Sequence, residues 1–278
     1  MTARLRDAPI RAVAYLLVVG LSVAMMFPFI WMLSSSFKPY SEIFAGTSFL
    51  PQAPTFHNYV SLFQQSDALL KLWNSFYIAT TATLISVFLC SMGGYAFAKF
   101  RFPGRAYLFG FMLASMALPF AVVMVPLFVM MRNVFHWIDT PWPLIVPTAA
   151  NAFGIFFMRQ YMFSIPDDII ESARIDGASE FSIFMRIVLP TSLPALISLS
   201  IIFFMSSWNN FLWPLAVLRS DPVQTVPVML DSLQGPPGRT AFDVLMAGSV
   251  VSVLPMLIVF LLLQRHLVAG VTAGAVKG

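Results

Sequence analysis

The sequence predicts an all-α polytopic membrane protein, and three observations support this prediction. Of the 278 residues, 59% are hydrophobic and only 10% are charged, whereas about 25% of the residues of a soluble domain are charged. The mean hydropathy is +0.82. The apolar residues form runs long enough to cross a bilayer as helices, which takes about 20 residues. We therefore expect a single transmembrane domain over residues 1–278.

Six membrane spans are predicted from these runs, at about residues 12–37, 72–98, 106–131, 142–163, 191–218 and 243–264. The first run follows three arginines, but it is long enough to span the bilayer and shows no small-residue cleavage site. We expect a retained helix there rather than a signal peptide. Prolines within the third, fourth and fifth spans predict kinks.

A seventh run, residues 43–66, also lacks acidic and basic residues but is rich in Pro, Gly, Asn and Gln. Hydrocarbon could not satisfy the polar backbone of such a turn-rich segment. The run is predicted to be a loop with a short helix near residues 59–63.

The distribution of basic residues predicts the orientation. With the amino terminus inside, 11 of the 16 Lys and Arg residues lie on the cytoplasmic side, which agrees with the positive-inside rule. The loop 99–105 holds three cations and no acid. We expect a multi-pass protein of a bacterial-type inner membrane with both termini in the cytoplasm. The basic residues form no stripe along the sequence, so no nucleic-acid partner is expected.

A polar island at residues 164–190 separates the fourth and fifth spans and is therefore expected in the cytoplasm. Pro166-Asp167-Asp168 is typical of a helix start, and the helix is predicted to end near Asp176. Gly177 permits a turn, and Ser179 can cap a second helix. That helix has an apolar stripe at Phe181, Phe184, Met185 and Val188.

Small and acidic residues are concentrated where the two short helices meet, at residues 171–178, which we call the polar corner. From the residues alone, two interpretations remain open. The corner either docks a cytoplasmic partner, or the island is an amphipathic connector between two spans. The corner residues of interest are Glu171, Ser172, Ala173, Asp176, Gly177 and Ala178.

Polar residues at membrane depth are few. They are Asn151, Ser206, Ser207, Asn209 and Asn210, the last four surrounding Trp208. Because polar groups are costly in hydrocarbon, these residues are predicted to face the bundle interior, where they are candidates for a solute pathway. Hydrogen bonding between helices is the alternative interpretation. Gly93 and Gly94 predict a close approach of two helices, and Cys90 is expected to be a packing residue.

The sequence offers no candidate catalytic or metal site. His57, His136 and His266 are far apart in the chain, so neither a nucleophile–base pair nor a set of metal ligands is predicted. No Gly-x-x-x-x-Gly-Lys-Ser/Thr phosphate loop occurs, so any ATP must be bound by another polypeptide. A secondary transporter is a remote alternative, because the predicted spans lack the buried acids that such proteins use.

The polar island resembles the EAA loop of the transmembrane subunits of ATP-binding-cassette importers. The matching residues are Glu171-Ser172-Ala173, Gly177 and Ile187-Val188-Leu189-Pro190, with Ser172 in place of the usual alanine. Three further segments are similar to the MalG-like permeases of carbohydrate importers: Tyr95–Gly104, Trp208–Pro214 and Gln264–Gly278. Val271 stands where those permeases more often have leucine.

This resemblance implies the type I (MetI-like) permease fold and a role as the permease subunit of an ATP-driven, binding-protein-dependent importer. It implies a second homologous permease, two ATPase subunits that bind ATP and Mg, an extracytoplasmic solute-binding protein and membrane lipid as partners. The chain itself would hold no cofactor and would not be an enzyme. The polar corner would couple to the ATPase, and the tail 265–278 would add contacts through Gly274, Ala275, Val276 and Lys277.

The solute implied by the resemblance is a sugar or a sugar-like molecule. Glycerol-phosphate derivatives, amino sugars, peptides or another small solute on the same scaffold are the alternatives. The external loop from Arg219 to Asp243 matches in position the segment that probes the binding protein in such importers.

Overall fold

A computed structural model describes residues 8–45, 48–235 and 241–272. Within these ranges the chain forms helices joined by turns and loops, and no β-strand occurs among the described residues. The predicted all-α fold class is therefore confirmed. The described chain falls into two compact units. One comprises the residues up to Ala68 together with Met229–Leu254, and the other comprises Leu69–Val228 together with the residues from Pro255 onward.

The described ranges contain fifteen α-helices, numbered here in chain order. They are α1 Ala8–Ser35, α2 Tyr40–Ala45, α3 His57–Gln65, α4 Ala68–Lys99, α5 Arg105–Ser115, α6 Phe120–Asn133, α7 Trp142–Ile145, α8 Ala152–Met162, α9 Asp167–Ile175, α10 Glu180–Ile183, α11 Leu189–Thr191, α12 Leu193–Trp208, α13 Leu212–Val217, α14 Val226–Gln234 and α15 Phe242–Thr272. A π-helical turn, Phe184–Val188, joins α10 to α11.

Among the described residues, three helical segments are long and apolar enough to cross a membrane by themselves: Val13–Ser35, Ala68–Lys99 and Phe242–Leu262. They coincide with the first, second and sixth predicted spans. Two pairs of helices qualify only when taken together. Arg105–Ser115 and Phe120–Asn133 meet at a bend of 97°, and Glu180–Thr191 and Leu193–Trp208 meet at 80°. These pairs lie at the third and fifth predicted spans.

The bends coincide with prolines, as expected. Pro119 precedes α6, and proline disfavours helical geometry in the residue before it, so α5 ends at Ser115 and α6 begins anew. Pro194 stands in the first turn of α12, where its missing N–H costs no hydrogen bond. Each proline thus allows the chain to change direction between two helices.

The fourth predicted span, 142–163, contains two helices rather than one. The short α7 ends at Ile145, and α8 begins at Ala152 after a non-helical segment that contains Pro147. Asn151 caps α8, since its side-chain oxygen accepts a hydrogen bond from the Gly154 N–H at 3.2 Å. The described residues contain between three and five candidate spans, so the number six stays a prediction.

Helices α4 and α8 approach each other closely at glycines in the larger unit. A Cβ atom on Gly94 would lie 2.7 Å from the Met158 Cβ, and one on Gly154 would lie 2.7 Å from the Cys90 Sγ. Contacts of that length do not occur between real side chains, so only glycine fits. The expected close packing at Gly94 and the packing role of Cys90, which is fully buried, are both observed.

The smaller unit contains the turn-rich segment that was predicted to be a loop. The expected short helix is present as α3, His57–Gln65. Its buried Asn58 amide donates hydrogen bonds to the carbonyl oxygens of Ser36 and Lys38, both at 2.8 Å. These bonds satisfy backbone groups at the end of α1, which secondary structure alone would leave unpaired.

Candidate functional site

The polar corner is built by local helix-capping signals. Helix α9 begins with Asp167 and Asp168 in its first turn, where acids complement the helix dipole. At its end, Gly177 has a φ of +79°. The Gly177 N–H donates to the carbonyl of Arg174 and the Ala178 N–H donates to that of Ala173, both at 3.0 Å. This pair of bonds is the Schellman motif, which requires a left-handed residue at the glycine position.

Ser179 caps the second helix as expected, because its hydroxyl accepts a hydrogen bond from the Ser182 N–H at 3.3 Å. The predicted apolar stripe was only half right. Phe184 and Val188 are buried, but Phe181 is 60% exposed and Met185 is 40% exposed. The fully buried Ile183 takes their place. Sequence spacing predicts a periodicity but not the direction in which a helix faces, and the π-helical turn shifts that periodicity further.

The polar corner is accessible to solvent. Glu171, Ser172, Asp176 and Gly177 are exposed, and Ala173 and Ala178 are half-buried because they pack against the core below. Sequence reasoning missed Ile175, whose side chain is 86% exposed at the tip of the corner. This exposure could have been predicted from the sequence, because Ile175 lies directly before the turn and on the polar side of an amphipathic helix. A large apolar side chain held in solvent on a rigid element is a typical anchor for a protein partner.

A hydrogen-bonded network connects the corner to α4. The Arg174 Nε lies 2.6 Å from the Glu180 Oε1, and the Tyr95 hydroxyl donates to the Glu180 Oε2 at 3.0 Å. The hydrogen bond to Glu180 raises the pKa of the Arg174 guanidinium above its ordinary value. The carboxylate of Glu180 therefore bridges the two arms of the corner and the end of α4.

A second link joins the same two elements. The Lys99 Nζ, at the last residue of α4, donates to the Asp167 carboxylate and to the Ile165 carbonyl, both at 2.6 Å. The hydrogen bond from Lys99 lowers the pKa of Asp167 below its ordinary value. The Lys99 side chain is 6% exposed and that of Asp167 is 70% exposed. The start of α9 is thus fixed to the end of α4.

A cavity of about 80 Å³ lies within the larger unit, and several of the predicted pathway residues line it. The structure brings together Asn151, Ser206, Ser207 and Asn210 at this cavity. Trp208 is not part of its lining but packs in an apolar cluster with Ala79 and Phe204, and Asn209 is exposed outside it.

Five hydroxyl residues that sequence reasoning missed complete the polar lining: Ser75, Thr83, Ser86, Thr148 and Thr225. Three of them belong to α4, at positions separated by 8 and 3 residues, so they share one helix face. This helical spacing could have been recognised from the sequence. The Thr83 hydroxyl is buried without a hydrogen-bond partner among the described residues. A polar group at the cavity is therefore available to bind water or a solute.

The predicted tail contacts Gly274, Ala275, Val276 and Lys277 lie outside the described residues, so their role stays a prediction. The described chain contains no group of three or more His, Cys, Asp or Glu side chains that could hold a metal ion. The transport function is argued below from the corner and the cavity.

Comparison with known proteins decides the family. A family model described as "Binding-protein-dependent transport system inner membrane component" matches residues 90–273, which is more than half of the chain. The chain belongs to this family. The matched region covers the polar corner, the network that joins it to α4, and both Asn151 and the residues of α12 at the cavity.

Members of the binding-protein-dependent transport family resemble this chain over nearly its whole length. The arabinooligosaccharides transport system permease protein AraQ of Bacillus subtilis is 39% identical over 93% of this chain and 92% of its own length. The lactose transport system permease protein LacG of Rhizobium radiobacter is 34% identical over 91% of this chain and 91% of its own length. The trehalose/maltose permease protein MalG of Thermococcus litoralis is 34% identical over 95% of this chain and 96% of its own.

Solved structures show the same fold. A chain of a bacterial ABC transporter involved in alginate import superposes with a TM-score of 0.83 at 24% identity, covering 94% of this chain and 97% of that chain. A chain of the MetNI methionine ABC transporter gives a TM-score of 0.53 at 16% identity over 73% of this chain. The expected family and the MetI-like permease fold are confirmed. The protein is a membrane component of a binding-protein-dependent transport system.

Proposed function

We propose that the chain is the permease subunit of an ATP-driven importer for a saccharide, and that the polar corner couples ATP hydrolysis on a partner to movement of the spans. The single observation that carries the coupling is the pair of links from the corner to α4, through Glu180 with Tyr95 and through Asp167 with Lys99. These links fix the corner to a membrane helix, and they leave its outer surface exposed to a partner.

Helix α4 connects the corner to the cavity. Ser75 lines the cavity and Tyr95 reaches the corner network, and twenty residues of one helix, about 30 Å, separate them. The second arm of the corner continues through the 80° bend into α12, which carries Ser206 and Ser207 at the cavity. A displacement of the corner would therefore move two walls of the cavity at once, which is the coupling that alternating access requires.

The cavity supports a role in the solute pathway. Hydroxyl and amide side chains are suited to hydrogen-bond a polyhydroxylated solute, and the relatives named above transport arabinooligosaccharides, lactose or trehalose and maltose. A volume of about 80 Å³ holds only a few water molecules. We infer that this conformation is closed to the solute and that movement of α4 and α12 enlarges the cavity.

The energy source is a separate ATPase, because the sequence contains no phosphate-binding loop of the Gly-x-x-x-x-Gly-Lys-Ser/Thr type. We propose a complex with a second permease, two ATPase subunits that bind ATP and Mg, and an extracytoplasmic binding protein. The excess of basic residues on one side supports a cytoplasmic corner with both termini on the same side. Gly274–Lys277 are proposed as additional ATPase contacts.

The test is uptake by proteoliposomes that contain this chain, the second permease and the ATPase. Radiolabelled arabinooligosaccharide, lactose and maltose would be supplied with the binding protein, with glycerol 3-phosphate as the alternative solute. We expect saccharide uptake only when ATP is present on the ATPase side. Uptake driven by an ion gradient without ATP would contradict the proposal, and preferential uptake of glycerol 3-phosphate would contradict the saccharide assignment.

A further inference from the structure

Two arginines line an open groove of about 600 Å³ between α5 and α8. Arg105 is the first residue of α5, and Arg159 lies in the last turn of α8. The remaining lining is aromatic, aliphatic or glycine, and no carboxylate is among the described residues that form it. The groove is therefore positively charged with apolar walls.

Aromatic rings and backbone carbonyls hold both guanidinium groups in place. The Arg159 Cζ lies 4.0 Å from the ring centre of Phe109 and 4.4 Å from that of Phe163, and its Nε donates to the Phe97 carbonyl at 3.2 Å. The Arg105 Cζ lies 6.0 Å from the same Phe163 ring. An Arg105 terminal nitrogen donates to the Phe100 carbonyl at 3.0 Å. Two cations thus share one aromatic ring.

Neither guanidinium forms an ion pair within the described ranges of the chain. Each offers five N–H donors in a planar fork, and only one donor of each is used in the hydrogen bonds above. Two like charges held close together repel each other unless an anion neutralises them. A tetrahedral phosphate monoanion or diester fits this need, because arginine forks bind phosphate oxygens in charge-assisted pairs.

The outer surface of α5 shows in which environment the groove lies. Tyr107 is 86% exposed, Phe111 78% and Leu108 55%, so one face of the helix presents large apolar side chains to its surroundings. These side chains begin within one turn of Arg105. An arginine pair at the end of a helix, followed by an apolar face, matches a phospholipid, whose phosphate and acyl chains are joined in the same order.

We propose that Arg105 and Arg159 form a binding site for the phosphate of an anionic phospholipid, with its acyl chains against the exposed face of α5. A freely diffusing phosphate would not need the apolar wall, and the wall is the observation that favours a lipid. The site goes beyond the proposed transport function. It rests on that proposal only for the assignment of the leaflet, which the proposed orientation makes cytoplasmic.

The test is native mass spectrometry of the detergent-purified transporter complex titrated with phosphatidylglycerol. We compare the unaltered complex with Arg105→Gln, Arg159→Gln and the double variant. Phosphatidylglycerol binding is expected to weaken about fivefold for each arginine removed. Arg105→Lys and Arg159→Lys keep the positive charge but lack the guanidinium fork, so they should weaken phosphatidylglycerol binding less than the glutamine variants do. Recovery of the intact complex by size-exclusion chromatography shows that each variant is folded.

The matched control is Arg132→Gln, which removes an exposed cation at the end of α6, outside the groove. This variant should bind phosphatidylglycerol like the unaltered complex. Equal binding by the double variant and by Arg132→Gln would overturn the proposal. So would equal competition by water-soluble glycerol 3-phosphate or by zwitterionic phosphatidylcholine, because either would show that the groove does not select an anionic lipid. Lipid binding is measured without transport, so its failure and a failure of uptake are separable.

Discussion

The hydroxyl of Tyr95 donates a 3.0 Å hydrogen bond to the carboxylate of Glu180. Tyr95 lies one turn before the end of α4, and Glu180 is the first residue of the helix that follows the polar corner. Glu180 also binds Arg174 on the other arm of the corner. This contact joins three elements at one carboxylate, and it is the most direct route from the corner to a membrane helix.

Replacing Tyr95 by Phe should reduce coupling without removing the fold. The ring stays packed at 5.6 Å from Phe184, and only the hydrogen bond is lost, at a cost to stability of about 1 kcal/mol. We expect fewer solute molecules transported per ATP hydrolysed in proteoliposomes. Tyr77→Phe, on an exposed part of the same helix, is the control. An unchanged ratio in Tyr95→Phe would show that this bond transmits no movement.

Replacing Ile175 by Ser should weaken binding of the ATPase. The side chain is 86% exposed and contributes nothing to the core, so the permease should remain as stable as before. Loss of an interface anchor typically weakens binding about tenfold or more. Affinity of the detergent-purified permease for the ATPase subunit measures this, with Ile175→Leu as the conservative control. Unchanged affinity for Ile175→Ser would exclude Ile175 as an anchor.

The link between Lys99 and Asp167 predicts a pH dependence. Because the hydrogen bond from Lys99 lowers the pKa of Asp167 in the folded protein, its stabilising effect is complete above the ordinary value of 3.8. The effect is lost as the pH falls through the lower, native pKa. Asp167→Asn should therefore lower the melting temperature at pH 7, and the difference should vanish below that native pKa. Asp168→Asn, in the same helical turn, is the control, and an equal effect of both variants would contradict the prediction.

Replacing Thr83 by Val should separate stability from transport. The Thr83 hydroxyl is buried without a partner among the described residues, so removing it should leave stability unchanged or raise it by about 1 kcal/mol. If the cavity serves the solute pathway, uptake should fall because a polar contact is lost. Thr81→Val, on the same helix but outside the cavity lining, is the control. Normal saccharide uptake by Thr83→Val would argue against a role for this hydroxyl.

The polar corner was predictable because its signals are local. Proline and acids at a helix start, a glycine in a left-handed turn and a capping serine act within a few residues of one another. Each of these signals fixes the backbone conformation of its own few residues, independently of how the rest of the chain folds. The predicted turn at Gly177 and the cap at Ser179 are both present for this reason. The exposure of the corner followed from its composition.

The contacts that give the corner a mechanism were not predictable. Tyr95 and Glu180 are 85 positions apart, and Lys99 and Asp167 are 68 apart. Helix periodicity and capping signals do not specify pairs at such separations, because packing of distant elements decides them. For the same reason the buried stripe came to include Ile183 instead of Phe181. The cavity lining was predictable only in part. The hydroxyls of α4 follow helical spacing, which the sequence shows, but the residues that face them come from distant elements and follow no such spacing.

Gly177→Val tests the central claim most directly. Nothing lies within 4 Å of a Cβ atom at this position, but its φ of +79° is strained for a β-branched residue, at a cost of about 1–2 kcal/mol. Gly177→Asn tolerates this geometry better and serves as the control. In proteoliposomes containing the full complex, solute uptake and ATP hydrolysis are measured together. We predict that Gly177→Val remains in the membrane and hydrolyses ATP with little uptake, whereas Gly177→Asn transports. Normal uptake per ATP by Gly177→Val would contradict the claim that the corner couples the ATPase to the spans.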